Sequence, residues 1–277
     1  MHPTLFVDFI HTYGLMLAVG FYAAWWLGGW RAKAAGVHPD VIGNMVLISI
    51  LAGVVGARLL WFALYREPGD SVFVLFEVWR GGLVFYGGLI AAVVADYAYL
   101  KRKRLPVWQV ADLVAPAVSL GQAFGRIGCF LNGCCFGGLC GPRFPLGVRF
   151  PAFRNAAGAP VGAPAFLDHV HRGWVADNAA ASLPVHPTQL YESASLFLIT
   201  GLLIVFSPYK RRHGQVFALL CILNAVSRLG VELVRGDTTP IFLGLNPGQV
   251  GAACVLAIGL AILLWVSRRG EAPSWQS

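Results

Sequence analysis

The chain has 277 residues, of which 57% are apolar and 12% are charged, and its mean hydropathy is +0.66. Soluble domains are about 45–50% apolar and about 25% charged, so this composition excludes a disordered chain, a coiled coil and an ordinary cytosolic enzyme. The net charge is +8, but the basic residues stand in short clusters between apolar runs, a distribution typical of membrane topology and lipid contact. The sequence therefore predicts a polytopic membrane protein that does not bind nucleic acid.

Seven apolar stretches are long enough to cross a bilayer, since a spanning helix needs about 20 mostly apolar residues. In chain order they cover residues 11–30, 41–64, 82–100, 107–125, 189–207, 214–234 and 248–267. The fourth is the weakest, because Asp112, Pro116, Gln122 and Arg126 interrupt it. The predicted fold class is an all-α, polytopic membrane protein with about seven transmembrane helices.

The loops between these stretches predict the orientation. The connections after the first, third and fifth spans and the C-terminal tail carry 11 of the 21 Lys and Arg residues, and seven spans put all four segments on one side. Basic loops mark the cytoplasm, so the N-terminus is predicted outside and the C-terminus inside. Residues 1–277 are then a single integral-membrane domain, with an extracytoplasmic insertion at about 137–188 in which no second hydrophobic core is evident.

Ionisable residues within the predicted spans give the first indication of function. Each costs about 2.5–3.5 kcal/mol at the bilayer centre on insertion scales, so such residues normally pair or face a cavity. Arg228, Glu232 and Arg235 fall at i, i+4 and i+7 on one helix face, and Glu232 can neutralise only one arginine. The surplus positive charge favours an anion, and phosphate suits the fork of donors of an arginine. Together with Arg126, predicted at a similar depth, this face predicts a lipid-phosphate site; ion pairing between helices is the alternative.

Four further motifs fall at the outward ends of predicted spans. They are HTYGL with Tyr13, GGLVFYGGL with Tyr86, GRIGCFLNGCCFG with Asn132 and Gly137, and HPTQLYE with His186, Gln189, Tyr191 and Glu192. Tyrosines at a membrane boundary are often interface anchors, which is the alternative interpretation of Tyr13 and Tyr86. Because the motifs converge on one side of the membrane, we predict that they form one site.

Four of the six cysteines, Cys129, Cys134, Cys135 and Cys140, stand beside the long outer loop. A disulfide can form outside the cytoplasm, and Cys135 with Cys140 is the predicted pair, with Cys134 and Cys140 as the alternative. Zinc is disfavoured, because the spacing is not C-x2-C and no His is close in sequence. A nucleophilic Cys129 or Cys134 is a lesser alternative. We predict neither a metal nor a cofactor.

In this order the motifs resemble the bacterial prolipoprotein diacylglyceryl transferase family. The resemblance rests on GRIGCFLNGCCFG, YGGLI, HPTQLYE and RLGVELVRGD, together with HTYGL near the start and NPGQV before the last span, and it covers nearly the whole chain. It implies a multi-pass enzyme of the bacterial inner membrane, with its active site toward the outer leaflet. Such an enzyme moves the diacylglyceryl group of phosphatidylglycerol to the lipobox cysteine thiol of a prelipoprotein signal peptide and releases glycerol phosphate. The implied partners are these two substrates and membrane lipids.

The resemblance also implies roles for individual residues. Catalytic roles are implied for Arg126, Arg228, Tyr86 and Glu232, with the two arginines on the lipid phosphate and Glu232 orienting Arg228. The implied substrate-binding residues are Tyr13, Asn132, Gly137, His186, Gln189, Tyr191, Glu192 and Arg235. Arginines already aimed at a phosphate stabilise the charge of the leaving group with little reorganisation.

Three positions depart from the pattern common in the family. Tyr86 stands where a His is common, Cys129 where an Asn is common, and Cys134 where a Glu is common. Each change removes a polar or proton-accepting group, and a tyrosine hydroxyl is a poor base at neutral pH. The alternatives are therefore a phospholipid-using paralogue with another acceptor and a lipid-binding or lipid-transport protein without the transferase chemistry. An opening between the sixth and seventh spans is predicted to admit the lipid sideways.

Overall fold

The computed structural model describes residues 12–66, 71–77, 81–141, 143–154, 160–237 and 244–268. Its eight helices in these ranges are α1 (Thr12–Ala34), α2 (Pro39–Tyr65), α3 (Phe85–Arg102), α4 (Val107–Asn132), α5 (Pro164–His171), α6 (Thr188–Phe206), α7 (Gln215–Glu232) and α8 (Pro247–Arg268). Two short strands, β1 (Ala152–Arg154) and β2 (Pro160–Gly162), pair antiparallel. The fold is therefore all-helical apart from this pair.

The seven long helices lie where the seven spans were predicted. Five of them, α2, α4, α6, α7 and α8, are long and apolar enough to cross a membrane by length and composition. The largest difference is at α4, which was predicted to end near residue 125 and continues to Asn132. Its polar residues lower the hydropathy but do not break the helix, and even Pro116 lies inside it. Five spans are thus supported, and the seven-span arrangement stays a prediction.

The chain forms two compact units, Met1–Ala24 with Ala115–Ser277, and Trp25–Val114. In the second unit α2 and α3 approach closely at glycines: a Cβ on Gly56 would lie 2.5 Å from the carbonyl oxygen of Gly87. The buried Arg58 donates to backbone carbonyls of the segment between these helices, among them Leu75 and Gly82 at 3.3 and 3.1 Å. Its guanidinium also lies over the Trp61 ring, 4.3 Å from the centroid. Arg58 therefore fixes a loop.

In the first unit, the segment predicted as an extracytoplasmic insertion has a small core of its own. Phe136, Phe150, Ala163, Ala165 and Val185 are buried together, and Phe130 of α4 packs against them. The sequence analysis did not foresee this buried cluster, to which Phe130 and Phe136 contribute from outside residues 137–188. The single-domain organisation stays a prediction. The apolar residues of this cluster come from short, irregular stretches and from the two ends of the segment. They therefore show no hydrophobic periodicity from which the cluster could be predicted.

Candidate functional site

Five charged residues from α4, α6 and α7 and the segment after α7 form one connected network in the first unit. The Oε1 atom of Glu192 lies 3.1 Å from Nη2 of Arg126, and its Oε2 lies 3.0 Å from Nη1 of Arg228. Nη2 of Arg228 lies 2.9 Å from Oε2 of Glu232, whose Oε1 lies 3.7 Å from Nε of Arg235. The structure thus brings together the charged residues predicted for the site, with Glu192 as the bridge between two arginines.

Asp237, which the sequence analysis missed, completes the network. Nε and Nη2 of Arg235 each lie 2.8 Å from a carboxylate oxygen of Asp237. Among the described residues, three arginines are now balanced by three carboxylates. The prediction of a surplus positive charge on the α7 face is therefore wrong. The short spacing of Arg235 and Asp237 in the RGD sequence could have indicated this pair. Asp237 lies after the end of α7, however, so an argument from helical spacing does not include it.

The arginine side chains differ in exposure. Arg126 is 26% exposed and Arg228 is 18% exposed, whereas Glu232 is fully buried. A guanidinium has five donors, and the one ion pair described for Arg126 occupies one of its nitrogens. Arg126 can therefore accept an additional anion without first losing Glu192.

Glu232 is held at the N-terminus of α8. Asn246 and Gln249 cap this helix reciprocally, because Oδ1 of Asn246 accepts from the Gln249 backbone N at 2.8 Å and Oε1 of Gln249 accepts from the Asn246 backbone N at 3.1 Å. A Cβ on Gly248 would lie 2.5 Å from Oε2 of Glu232, so only glycine lets the carboxylate approach this closely. The positive end of the helix dipole then stabilises the buried charge of Glu232, which explains the NPGQV motif.

The backbone of His186 pairs with two glycines that follow α4. The Gly137 N–H donates to the His186 carbonyl at 2.9 Å, and the His186 N–H donates to the Gly138 carbonyl at 3.0 Å. The ring Nδ1 of His186 lies 3.3 Å from the hydroxyl of Tyr191. A Cβ on Gly137 would lie 2.6 Å from both the Cβ and the carbonyl oxygen of His186. Gly137 therefore permits a backbone contact that no larger residue allows without movement.

Two buried side chains at the start of α6 bind the turn after α4. Oγ1 of Thr188 donates to the Cys135 carbonyl at 2.8 Å, and Nε2 of Gln189 donates to the Cys134 carbonyl at 2.7 Å. The resemblance implied that Gln189 binds substrate, and the structure places it on the backbone of this turn. In the HPTQLYE motif, Thr188 and Gln189 therefore contact the turn after α4, and Glu192 contacts the arginines.

The end of α4 brings three thiols together. Gly133, with φ of 74°, ends the helix in a Schellman motif, in which the Gly133 N–H donates to the Phe130 carbonyl and the Cys134 N–H to the Cys129 carbonyl. This motif juxtaposes the side chains of Cys129 and Cys134. Cys135 follows with a φ of 58°, and the Sγ atoms of the three residues lie within 4.8 Å of one another.

The predicted disulfide between Cys135 and Cys140 is absent, since both thiols are free. Cys135 lies with Cys129 and Cys134, whereas the backbone N of Cys140 donates to the Pro184 carbonyl at 3.0 Å. The alternative pair, Cys134 with Cys140, is absent for the same reason. The spacing argument against a metal did not anticipate this group, because a glycine-capped helix end makes C-x4-C-C compact.

Cys135 is the thiol of this group whose ionisation the surroundings favour. Hydrogen bonds with Cys129 and Cys134 lower the pKa of Cys135 well below the usual value for a thiol, and the charges of Arg126 and Arg235 lower this pKa further. The turn therefore places a readily ionised thiol beside the arginine network.

The remaining predicted residues lie in two places. Tyr13, in the first turn of α1, packs against the end of α4, since a Cβ on Gly128 would lie 3.2 Å from its ring. Asn132 is the last residue of α4, immediately before the glycine of the Schellman motif. Tyr86 belongs to the second unit, in the first turn of α3, where its ring centroid lies 5.7 Å from that of Phe85. Tyr13 and Asn132 therefore join the thiol end of the site.

Comparisons with known proteins identify the family that this chain resembles. The family model for prolipoprotein diacylglyceryl transferase matches residues 5–265. The chain is 34% identical over 266 residues to the phosphatidylglycerol–prolipoprotein diacylglyceryl transferase of Clostridium tetani, covering 95% of this chain and 96% of that protein. Proteins of the same name from Chromohalobacter salexigens and Symbiobacterium thermophilum are 32% and 31% identical, over 94% of this chain and 89% and 90% of theirs.

Proposed function

The chain belongs to the prolipoprotein diacylglyceryl transferase family, and we propose that it transfers the diacylglyceryl group of phosphatidylglycerol to the lipobox cysteine thiol of a prelipoprotein signal peptide. The observation that carries this proposal is the Glu192 carboxylate held between Arg126 and Arg228. The two guanidinium groups are thereby fixed on one side of a partly exposed site, which is the arrangement that a phosphate ester requires.

The arginines act on the leaving group. As the thiolate sulfur forms a bond to the glyceryl carbon, the bond from that carbon to the phosphate oxygen breaks. The electron pair stays on the phosphate, which gains one negative charge and leaves as glycerol phosphate. Arg126 and Arg228 stabilise this charge where it develops, and Glu192 and Glu232 keep them from reorienting.

We further propose that all seven long helices span the bacterial inner membrane, with the N-terminus outside and the C-terminus in the cytoplasm. Alternating spans would bring the start of α1, the end of α4, the start of α6, the end of α7 and the start of α8 to one side. The site residues lie at these ends, and the basic clusters lie at the opposite ends. This arrangement supports a site toward the outer leaflet.

An apolar cleft between α7 and α8 supports sideways entry of the lipid. Its volume is about 370 Å³, and its lining residues are Leu229, Gly230, Leu233, Leu245, Gln249 and Ala253. Leu229 adjoins Arg228 in sequence, and Gln249 adjoins Gly248, which contacts Glu232. An acyl chain in the cleft therefore leaves its phosphate close to the network.

A photocrosslinking residue at Leu233 is expected to trap phosphatidylglycerol in preference to phosphatidylethanolamine. The reason is charge: phosphatidylglycerol is a net anion, whereas the ammonium group of phosphatidylethanolamine would be repelled by the arginines. The preference should disappear when Arg228→Ala is added. The matched control is Val226, which is also exposed on α7 but does not line the cleft, and its crosslinks should show no preference. Equal trapping of both lipids at Leu233 would contradict entry at this seam.

Transfer itself is tested with purified protein, labelled phosphatidylglycerol and a lipobox peptide. We expect labelled diacylglyceryl peptide, none with the Cys→Ala peptide, and a decrease of about 10²–10³-fold with Arg126→Ala, the cost of removing one preorganised donor. Arg143→Ala is the control, because Arg143 is exposed and outside the network. Lipid binding without transfer by the unmodified protein would instead support the paralogue or the lipid carrier.

A further inference from the structure

We propose that Cys129, Cys134 and Cys135 bind a Zn²⁺ ion, and that the open fourth position of this ion takes the lipobox thiol as a thiolate. The metal site rests on the geometry of the three thiols alone. The role in activating the acceptor rests, in addition, on the proposed transferase function.

The geometry suits a thiophilic ion. Tetrahedral Zn²⁺ with Zn–S bonds of about 2.3 Å places its sulfur ligands about 3.8 Å apart, and the three Sγ atoms already lie within 4.8 Å of one another. Small rotations of the side chains therefore suffice for coordination. Thiolates select Zn²⁺ over hard ions such as Mg²⁺ and Ca²⁺.

The three thiols stand on a rigid support. The Schellman motif fixes Cys134 against Cys129, and the side chains of Thr188 and Gln189 hold the carbonyls of Cys135 and Cys134. A site whose backbone is already ordered loses little conformational entropy when the ion binds. The support thus favours binding by the folded protein.

Ligand number and charge indicate a reactive site. Structural zinc sites are closed by four protein ligands, whereas catalytic sites have three and an open position. Within the described residues, no fourth Cys, His, Asp or Glu joins this group. Three thiolates with Zn²⁺ carry a net charge of −1, and the positive charges of Arg126 and Arg235 act on this turn.

The ion would help to deprotonate the acceptor thiol. This is the task for which Tyr86, Cys129 and Cys134 leave fewer proton-accepting groups than is common in the family. A thiol that coordinates Zn²⁺ is deprotonated, so the lipobox thiol would lose its proton to water on binding. Its sulfur then forms the bond to the glyceryl carbon as the carbon–oxygen bond breaks and the phosphate leaves with the electron pair. The thioether product is a weaker ligand and leaves the ion, and no oxidation or reduction occurs.

The site is tested first without substrate, on the full-length reduced protein in detergent. We expect one Cd²⁺, used as a spectroscopic substitute, to give a thiolate charge-transfer band that Cys134→Ser abolishes and that the double variant Cys221→Ser/Cys254→Ser retains. In the unmodified protein, Zn²⁺ should slow alkylation of Cys129, Cys134 and Cys135 at least tenfold, but not that of Cys140. No band and no protection, or a disulfide within the group in protein purified without reductant, would overturn the site.

The role is tested with the lipobox peptide. The peptide should shift the Cd²⁺ band, whereas its Cys→Ser form should not, and a chelator should lower transfer at least tenfold until Zn²⁺ is restored. Full transfer by metal-free protein would overturn the role and leave the proposed function intact. A metal-loaded protein that shows the peptide shift but transfers no lipid would overturn the proposed function and leave the metal site intact.

Discussion

Glu192→Gln is expected to lower lipid transfer at least 100-fold and to destabilise the protein. Glutamine keeps the shape of the side chain but removes the charge that two arginines share, at 3.1 Å from Arg126 and 3.0 Å from Arg228. Removing one partner of a buried ion pair costs about 3–5 kcal/mol, because the other charge stays buried. The two guanidinium groups would then repel each other at the place where the phosphate must bind.

The transfer assay and thermal unfolding in detergent measure this result. The control is Asp40→Asn, which removes the same charge from a side chain that is 82% exposed on α2, and it should leave both quantities nearly unchanged. The double variant Glu192→Gln/Arg126→Gln should recover part of the lost stability but not the activity. Normal transfer by Glu192→Gln would show that the arginines do not need their shared carboxylate.

Gly137→Ala is expected to destabilise the protein by about 1–3 kcal/mol, the usual cost of forcing a methyl group into a packed site, and to reduce transfer at least tenfold. Its Cβ would lie 2.6 Å from the His186 carbonyl oxygen, so the backbone pairing with His186 must open. Gly137 also pairs with Arg235, and movement there displaces the network and the thiol turn together.

Gly138→Ala is the matched control for this variant. A Cβ at this adjacent position would meet only the Val234 carbonyl oxygen at 3.7 Å, an ordinary contact. In thermal unfolding and in the transfer assay, Gly137→Ala should therefore show a large effect and Gly138→Ala a small one. Equal effects of both substitutions would mean that the turn tolerates displacement and that the close contact with His186 is unimportant.

The positions of the long helices could be predicted because hydropathy depends on composition within one segment. The partners of the charged residues could not, because they depend on how segments meet. Arg228 and Glu232 lie one turn apart on α7, as their spacing predicted. The prediction was wrong for Arg235, because the helix ends at Glu232, and Glu192 arrives from another helix. A count of charges along α7 alone therefore predicted a surplus that the folded site does not have.

Unlike the charged network, the group of three thiols could have been predicted from one short stretch of sequence. Gly133 stands one residue after the last residue of α4, which is the usual position of a left-handed helix cap. Such a cap places the residues on either side of it, here Cys129 and Cys134, in contact. The sequence analysis compared the spacing only with known metal motifs and therefore disfavoured zinc. It favoured a disulfide between Cys135 and Cys140 instead, and both of these thiols are free.

The balance of three arginines against three carboxylates also bears on turnover. A neutral site takes up a monoanionic phosphodiester at a modest electrostatic cost, since the arginines can face the lipid while the carboxylates stay behind them. After transfer the same site holds a phosphate monoester with nearly two negative charges, and among the described residues the network has no fourth arginine to compensate for the increase. Glu192, Glu232 and Asp237 then repel the product, so the carboxylates that hold the arginines in place during the reaction also hasten the release of glycerol phosphate.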